Sequence, residues 1–170
     1  MALDATVGGA AANSYVTVAE ADAYFATRLQ STAWTGAVNA TKEAALISAT
    51  RLLDSSVEFT GAAADEVQAL AWPRTGMLNR NGYTILSSVI PAALKNVVCE
   101  LALQLIGADR LAVNDIAEQG IIGIKAGPVE LRFKEAIEAR GGLPSELLAL
   151  LVPSWVVVPE PANRAFFEVL

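Results

Sequence analysis

The stretch "IPAALKNVVCELALQLIG", Ile90–Gly107, decides the fold of this 170-residue chain. Pro91 stands in the first turn, where a helix needs no backbone N–H from it. Apolar side chains then recur at three- and four-residue steps, the spacing of one helix face: Leu94, Val97, Val98, Leu101 and Leu105. We therefore predict a helix at the centre of the core, with Lys95, Glu100 and Gln104 on its outer side.

A first helix is predicted in "NSYVTVAEADAYFATRL". Thr17 and Glu20 have the spacing of a capping box, in which each side chain binds a free amide at the helix start. The helix would run from Val18 to about Gln30, with Arg28 facing outward. Its inward face is predicted to consist of Val18, Ala21, Phe25 and Leu29.

Two further helices are predicted between these segments. Asn39 or Thr41 can cap a helix through "KEAALISATRLLDSS", which ends near Ser55. A short helix in "DEVQALAWP" would begin at Asp65 and stop at Pro73, because the residue before a proline is disfavoured in the helical conformation.

The pattern changes from helical to alternating after Glu118. In "QGIIGIKAGPVELRFKE" apolar and charged residues alternate around the turn residues of "AGP", which predicts a β-hairpin. A short helix follows in "PSELLALL", and then a proline-interrupted tail with Trp155, Phe166 and Phe167. So many large apolar groups in a terminal segment indicate docking onto a partner.

The predicted fold class is mainly α: a small helical bundle with a β-hairpin arm and an extended C-terminal tail. The predicted regions are a helical core at 13–115, the hairpin arm at 116–135, and a C-terminal helix with docking tail at 143–170.

The composition argues against an enzyme. The chain contains no histidine, which removes the usual general base near neutral pH and the commonest metal ligand. Its single cysteine, Cys99, excludes an internal disulfide framework and any multi-cysteine metal site. The 18 acidic residues show no metal or acid–base spacing. We therefore expect no catalytic residue, no cofactor and no metal site.

The sequence predicts neither a membrane span nor export. No apolar run approaches the roughly 18 residues that a membrane helix requires. Residues 1–12 lack the basic and apolar regions of a secretory signal, so we expect the protein to be made in a cytosol.

The motif "AWPRTG" interrupts the aliphatic sequence. Trp72 and Pro73 are predicted to be structural, with the indole covering the core and the proline fixing the exit of the chain. Arg74 has a planar set of donors that can bind carbonyls or a carboxylate, or contact another subunit. The loop that follows would project towards a partner, with Arg80 and Tyr83 at its tip.

The segments "ANSYVTVAEADAYFATRL", "KEAALISATRLLD", "QALAWPRTG", "IPAALKNVVCELALQL" and "GIKAGPVELRF" together resemble a family of tailed-phage and prophage proteins. That family is labelled DnaT-like single-stranded-DNA-binding proteins. The order of the elements and the terminal "LLVPSW" also resemble head–tail connector (adaptor) proteins of long-tailed phages. The resemblance covers about residues 13–155.

The connector resemblance implies a structural virion protein that forms a homo-oligomeric, commonly dodecameric, ring. Its partners would be the portal protein and a tail completion or terminator protein, with double-stranded DNA passing through the bore without sequence-specific contacts. The protein would be made in the host cytoplasm and lie in the neck of the virion. The DnaT-like label implies single-stranded-DNA binding instead.

Charge favours the connector of these two alternatives. Sequence-tolerant binding of single strands needs a basic groove with aromatic stacking platforms, whereas this chain has a net charge of −6. An acidic bore would let DNA slide without adhering. We therefore predict a connector, with single-stranded-DNA binding as the alternative. The expected contact residues are Arg74, Arg80, Tyr83, Ile122, Ile124, Leu131, Phe133, Trp155, Phe166 and Phe167.

Overall fold

The computed structural model describes residues 2–107, 123–126, 129–132, 143 and 145–157. Among these residues no helix has the length and apolar character needed to cross a membrane. The elements, in chain order, are α1 (Val18–Phe25), α2 (Thr32–Thr35), α3 (Asn39–Ser56), β1 (Ala62–Ala63), β2 (Arg74–Thr75), α4 (Ala92–Gly107), β3 (Gly123–Ala126), β4 (Val129–Arg132), α5 (Ser145–Leu148) and a 3₁₀ turn (Pro153–Trp155).

The core forms where α3 and α4 pack along each other. Leu46 and Leu53 of α3 and Leu94 and Leu101 of α4 are fully buried. Leu94 and Leu101 belong to the apolar face that the spacing in α4 predicts. The mainly helical fold class is therefore confirmed. The β-hairpin is also confirmed: β3 and β4 pair antiparallel along their whole length. The tail beyond residue 157 lies outside the described residues, and the predicted division into three regions stays a prediction.

Helix α1 is shorter than predicted. It opens with the predicted capping box, in which the Glu20 amide donates to Thr17 Oγ1 at 3.2 Å and the Thr17 amide donates to Glu20 Oε2 at 2.9 Å. The helix ends at Phe25, and the chain turns, with Gln30 in the left-handed region at φ 59°. Leu29, predicted to face inward, is therefore 87% exposed, and that prediction is wrong.

Glu100 was predicted on the outer side of α4 but is nearly buried. Arg28 Nη2 donates to its Oε2 at 2.7 Å, and the Tyr24 hydroxyl donates to its Oε1 at 2.7 Å. The prediction fails because the chain around α1 covers this side of α4, which the periodicity of α4 alone does not reveal. Burial by itself raises the pKa of Glu100, but the hydrogen bonds from Arg28 and Tyr24 outweigh burial and lower the pKa.

The short helix predicted between Asp65 and Pro73 does not form. The Val67 amide donates to Asp65 Oδ1, and the Asp65 amide donates to Gln68 Oε1, each at 3.0 Å. Such local bonds offer the backbone an alternative to the helix. The strand pair β1–β2, which the sequence analysis did not predict, joins the two ends of this segment.

The C-terminal segment returns to the core. The helix predicted in "PSELLALL" is confirmed as α5. The buried side chains of this segment are Leu143, Leu147, Leu151 and Trp155. The Val157 amide donates to the Glu58 carbonyl at 2.8 Å, which holds the end of the segment beside the chain that follows α3.

We predict that Glu100→Gln lowers the free energy of unfolding by about 1–3 kcal/mol at neutral pH, because Arg28 loses a charged acceptor. A lowered pKa means that the folded state keeps Glu100 ionised. The stability that ionised Glu100 contributes is therefore present above its ordinary pKa of 4.5. It is lost as the pH falls through the pKa of the folded state. The variant should lose less stability than the wild type on acidification, as measured by urea unfolding.

The control for this experiment is Glu66→Gln, a substitution of an exposed carboxylate. An equal loss of stability on acidification in wild type and Glu100→Gln would contradict the assignment of that loss to Glu100.

Candidate functional site

The tip loop, residues 76–89, connects β2 to α4 and carries two of the predicted contact residues. The Ile85 amide donates to the Met77 carbonyl at 2.9 Å, and the Asn79 amide donates to the Tyr83 carbonyl at 2.8 Å. Asn79 Oδ1 accepts the amides of Asn81 at 2.9 Å and Tyr83 at 3.0 Å. The tip therefore has a definite shape set by its own hydrogen bonds.

Arg80 and Tyr83 are both exposed at the tip, and the tyrosine is 71% exposed. Arg28, Lys42 and Lys95 are held in ion pairs elsewhere. Within the described part of the chain, Arg80 forms no ion pair and its guanidinium donates no hydrogen bond. An exposed guanidinium can bind an anion, and an exposed aromatic ring in the same loop can stack on a flat group.

Arg74 fixes the base of the tip loop through hydrogen bonds to the backbone of the same chain. Its guanidinium donates to four backbone carbonyls at 2.6 to 3.1 Å. These are the carbonyls of Phe59, Thr60, Gly61 and Ala71. Of the roles that the sequence left open, binding of carbonyls is the one seen, while an intersubunit contact stays a prediction.

Two indole rings pack beneath the tip loop. Trp72 is buried, as its predicted structural role requires, and its ring lies 5.9 Å from Phe59 and 5.1 Å from Trp155. Trp155, predicted as a docking contact, is only 2% exposed and lies within the chain's own core. Its Nε1 donates to the Leu78 carbonyl at 2.6 Å. The C-terminal segment therefore fixes the position of the tip loop.

Sequence reasoning missed the polar network that holds this region to α3. The Tyr15 hydroxyl donates to the Asp54 carboxylate at 2.6 Å and accepts the Trp72 amide at 3.1 Å. Asp54 also accepts the Ala71 amide at 3.0 Å. Burial, together with the nearby Asp54 charge, raises the pKa of Tyr15, and burial raises the pKa of Asp54. The one signal in the sequence was the position of Asp54, an acidic residue that directly follows the core-facing Leu53.

The remaining predicted contact residues cannot be placed as side chains. Ile122, Phe133, Phe166 and Phe167 lie outside the described residues. Ile124 and Leu131 lie opposite each other in the β3–β4 hairpin, where only the backbone is described.

The chain matches one protein family over most of its length. The family model described as "Putative DnaT-like ssDNA binding protein" matches residues 1–155. The chain therefore belongs to this family. No curated protein and no solved structure matches the chain.

This family membership corrects the head–tail connector prediction, which is wrong. The alternative that the sequence analysis ranked second agrees with the family description. The ring, the portal protein and the tail completion partner have no support. The predicted location in the virion neck depended on the connector interpretation and stays untested.

We predict that Arg74→Ala lowers the free energy of unfolding by about 2–4 kcal/mol, because it leaves several carbonyls without their charged donor. Arg80→Ala is the matched control, since it removes an exposed guanidinium that has no partner in the described ranges, and it should change stability by no more than about 0.5 kcal/mol. Urea unfolding measures both values. Equal stability of the two variants would show that the bonds of Arg74 contribute nothing to folding.

We predict that Trp155→Phe loosens the tip loop, because phenylalanine keeps an aromatic ring but cannot donate to the Leu78 carbonyl. Hydrogen exchange of the Asn79 and Ile85 amides should become about fivefold faster, equivalent to about 1 kcal/mol. Trp34→Phe removes an indole that donates to Asp22 instead, so it serves as the control. Unchanged exchange in Trp155→Phe would contradict the proposed support of the loop.

Proposed function

We propose that this protein binds single-stranded DNA through the tip loop and performs no chemical step on it. The observation that carries this proposal is that one loop exposes the ring of Tyr83 and, three positions earlier, the guanidinium of Arg80, which has no partner among the described residues, in a chain that belongs to a DnaT-like family. A base can stack on the ring while the neighbouring phosphate binds the guanidinium.

This arrangement favours unpaired strands over duplex DNA. Stacking on a side chain requires a base whose face is free, and a duplex covers both faces of its internal bases. Every base has such a face, so this contact would tolerate any sequence. The phosphate contact adds affinity without reading the sequence.

Local charge supports the proposal despite the net charge of −6. Residues 67–99, which include the whole tip loop, contain no aspartate or glutamate, and they contain Arg74, Arg80 and Lys95. Because Lys95 is paired with Glu20, Arg74 and Arg80 give the segment its positive charge, and a phosphate that approaches the tip meets no carboxylate from the segment. Since screening limits exposed charges to a range of about 10 Å, this local charge matters more at the tip than the average over the chain.

We predict that Tyr83→Ala weakens binding of a labelled oligothymidylate by about 5- to 100-fold, through loss of one stacked base. Arg80→Ala should weaken binding and reduce the slope of log affinity against log salt by about 0.7, the value for one phosphate contact on a single strand. Fluorescence anisotropy over a range of salt concentrations measures both effects.

Two controls make this experiment specific. Tyr83→Phe keeps the stacking ring and should bind nearly as well as the wild type. Arg51→Ala removes another exposed cation, on α3, and should leave the salt slope unchanged. Equal binding by wild type, Tyr83→Ala and Arg80→Ala would contradict the assignment to the tip loop, and no binding by the wild type would contradict the function itself.

A further inference from the structure

A groove of about 370 Å³ opens beside the tip loop. The residues that line it include Ile85, Pro91, Ala92 and Trp155, all of them apolar. The volume lies within the range of about 300–1,000 Å³ in which proteins hold small ligands, and such sites combine apolar walls with a few polar groups. The groove therefore has the size and the wall chemistry of a ligand subsite.

Polar groups line the side of the groove formed by the tip of the loop: Asn79, Arg80 and Asn81. Asn79 Oδ1 is engaged, since it accepts two backbone amides within the tip. The side-chain amide of Asn81 and the guanidinium of Arg80 have no hydrogen-bond partner in the described part of the chain. An amide offers one donor side and one acceptor side, which match the polar edge of a nucleobase.

The chemical groups that line the groove favour one kind of ligand. A nucleobase has two apolar faces and a polar edge, and it is attached to a phosphate. The groove offers the matching kinds of group: apolar walls, the amide of Asn81 and the cation of Arg80, neither of which has a partner among the described residues. An apolar side chain of a protein would fill the walls but would leave the amide and the guanidinium without partners. Unpaired bases also leave their stack at low cost.

We infer that the groove is a subsite for one unpaired nucleobase of a bound strand, whose neighbouring base stacks on Tyr83. This inference rests on the proposed function and adds a second base contact to it. Ala92 and Trp155 form the walls, Asn81 binds the edge of the base, and Arg80 binds the adjoining phosphate.

The subsite is tested by a substitution that fills the groove in the full chain. Ala92 is exposed at the start of α4, so Ala92→Phe places a ring in the groove without enlarging the core. Ala44→Phe is the matched control, at an exposed position of α3 away from the groove. Asn81→Ala removes the amide alone. Anisotropy measures binding of each variant to an oligothymidylate and to an abasic strand of equal length.

We expect Ala92→Phe to bind oligothymidylate about 5- to 100-fold more weakly than the wild type, the range for one base contact. Asn81→Ala should show a smaller loss in the same direction. Both variants should bind the abasic strand as the wild type does, and Ala44→Phe should match the wild type on both strands.

A direct measurement follows the indole N–H resonances by NMR during titration with oligothymidylate. The Trp155 resonance should shift, because Trp155 is one of the residues that line the groove, while that of Trp34, which packs on Phe25, should not. If the chemical shift of the Trp155 resonance does not change with DNA but changes with N-acetyl-phenylalaninamide, the groove binds an apolar side chain of a protein and the inference is overturned.

The remaining outcomes separate the inference from the proposed function. Wild-type affinity in Ala92→Phe, together with a loss in Tyr83→Ala, overturns the subsite and leaves single-strand binding in place. An equal loss on the abasic strand in Ala92→Phe also overturns the subsite, because the groove would then contact the backbone of the strand. No binding by the wild type to either strand overturns both proposals.

Discussion

The contact that the rest of the structure depends on is the one between the indoles of Trp72 and Trp155. Trp72 lies just before β2, and Trp155 lies near the end of the described chain, yet their rings are 5.1 Å apart in the core. Because Trp155 also donates to the Leu78 carbonyl, this contact joins the C-terminal segment, the core and the tip loop. Arg74 secures the other side of the same loop through backbone carbonyls. Large buried aromatic rings suit this role, since each stabilises many neighbours at once.

The proposed binding surface is the exposed tip of a loop whose base is held by hydrogen bonds. Hydrogen bonds fix the backbone of the loop that carries the ring and the cation, so little backbone order has to be gained when a strand binds. The connector prediction, which the family match overturns, had weighed the net charge of the whole chain. The 18 acidic residues are absent from the 33 positions between 67 and 99, which surround the tip loop in the sequence. Only the local charge acts on a phosphate at close range.

The periodicity of apolar residues predicted the helices that form the core. It failed where contacts with another part of the chain decided whether a residue is buried or helical. The apolar stripe of α4 placed Leu94 and Leu101 correctly, but its opposite side contains Glu100, which Arg28 binds from 72 positions away. The helical spacing of Leu29 was real, yet the chain turned before reaching it. At Asp65, side-chain hydrogen bonds replaced a helix that the pattern allowed. Each failure involves a partner or a turn that the spacing of apolar residues does not encode.

The sequence by itself determined the helical core, the β3–β4 hairpin and the lack of histidine chemistry, because these depend on composition and on patterns that repeat within a few residues. It also placed Arg80 and Tyr83 at the tip of a loop. Only the tertiary structure decided that Trp155 is a buried support and that the tip borders a groove. The Trp155–Leu78 hydrogen bond spans 77 positions, and such long-range contacts depend on how the whole chain packs.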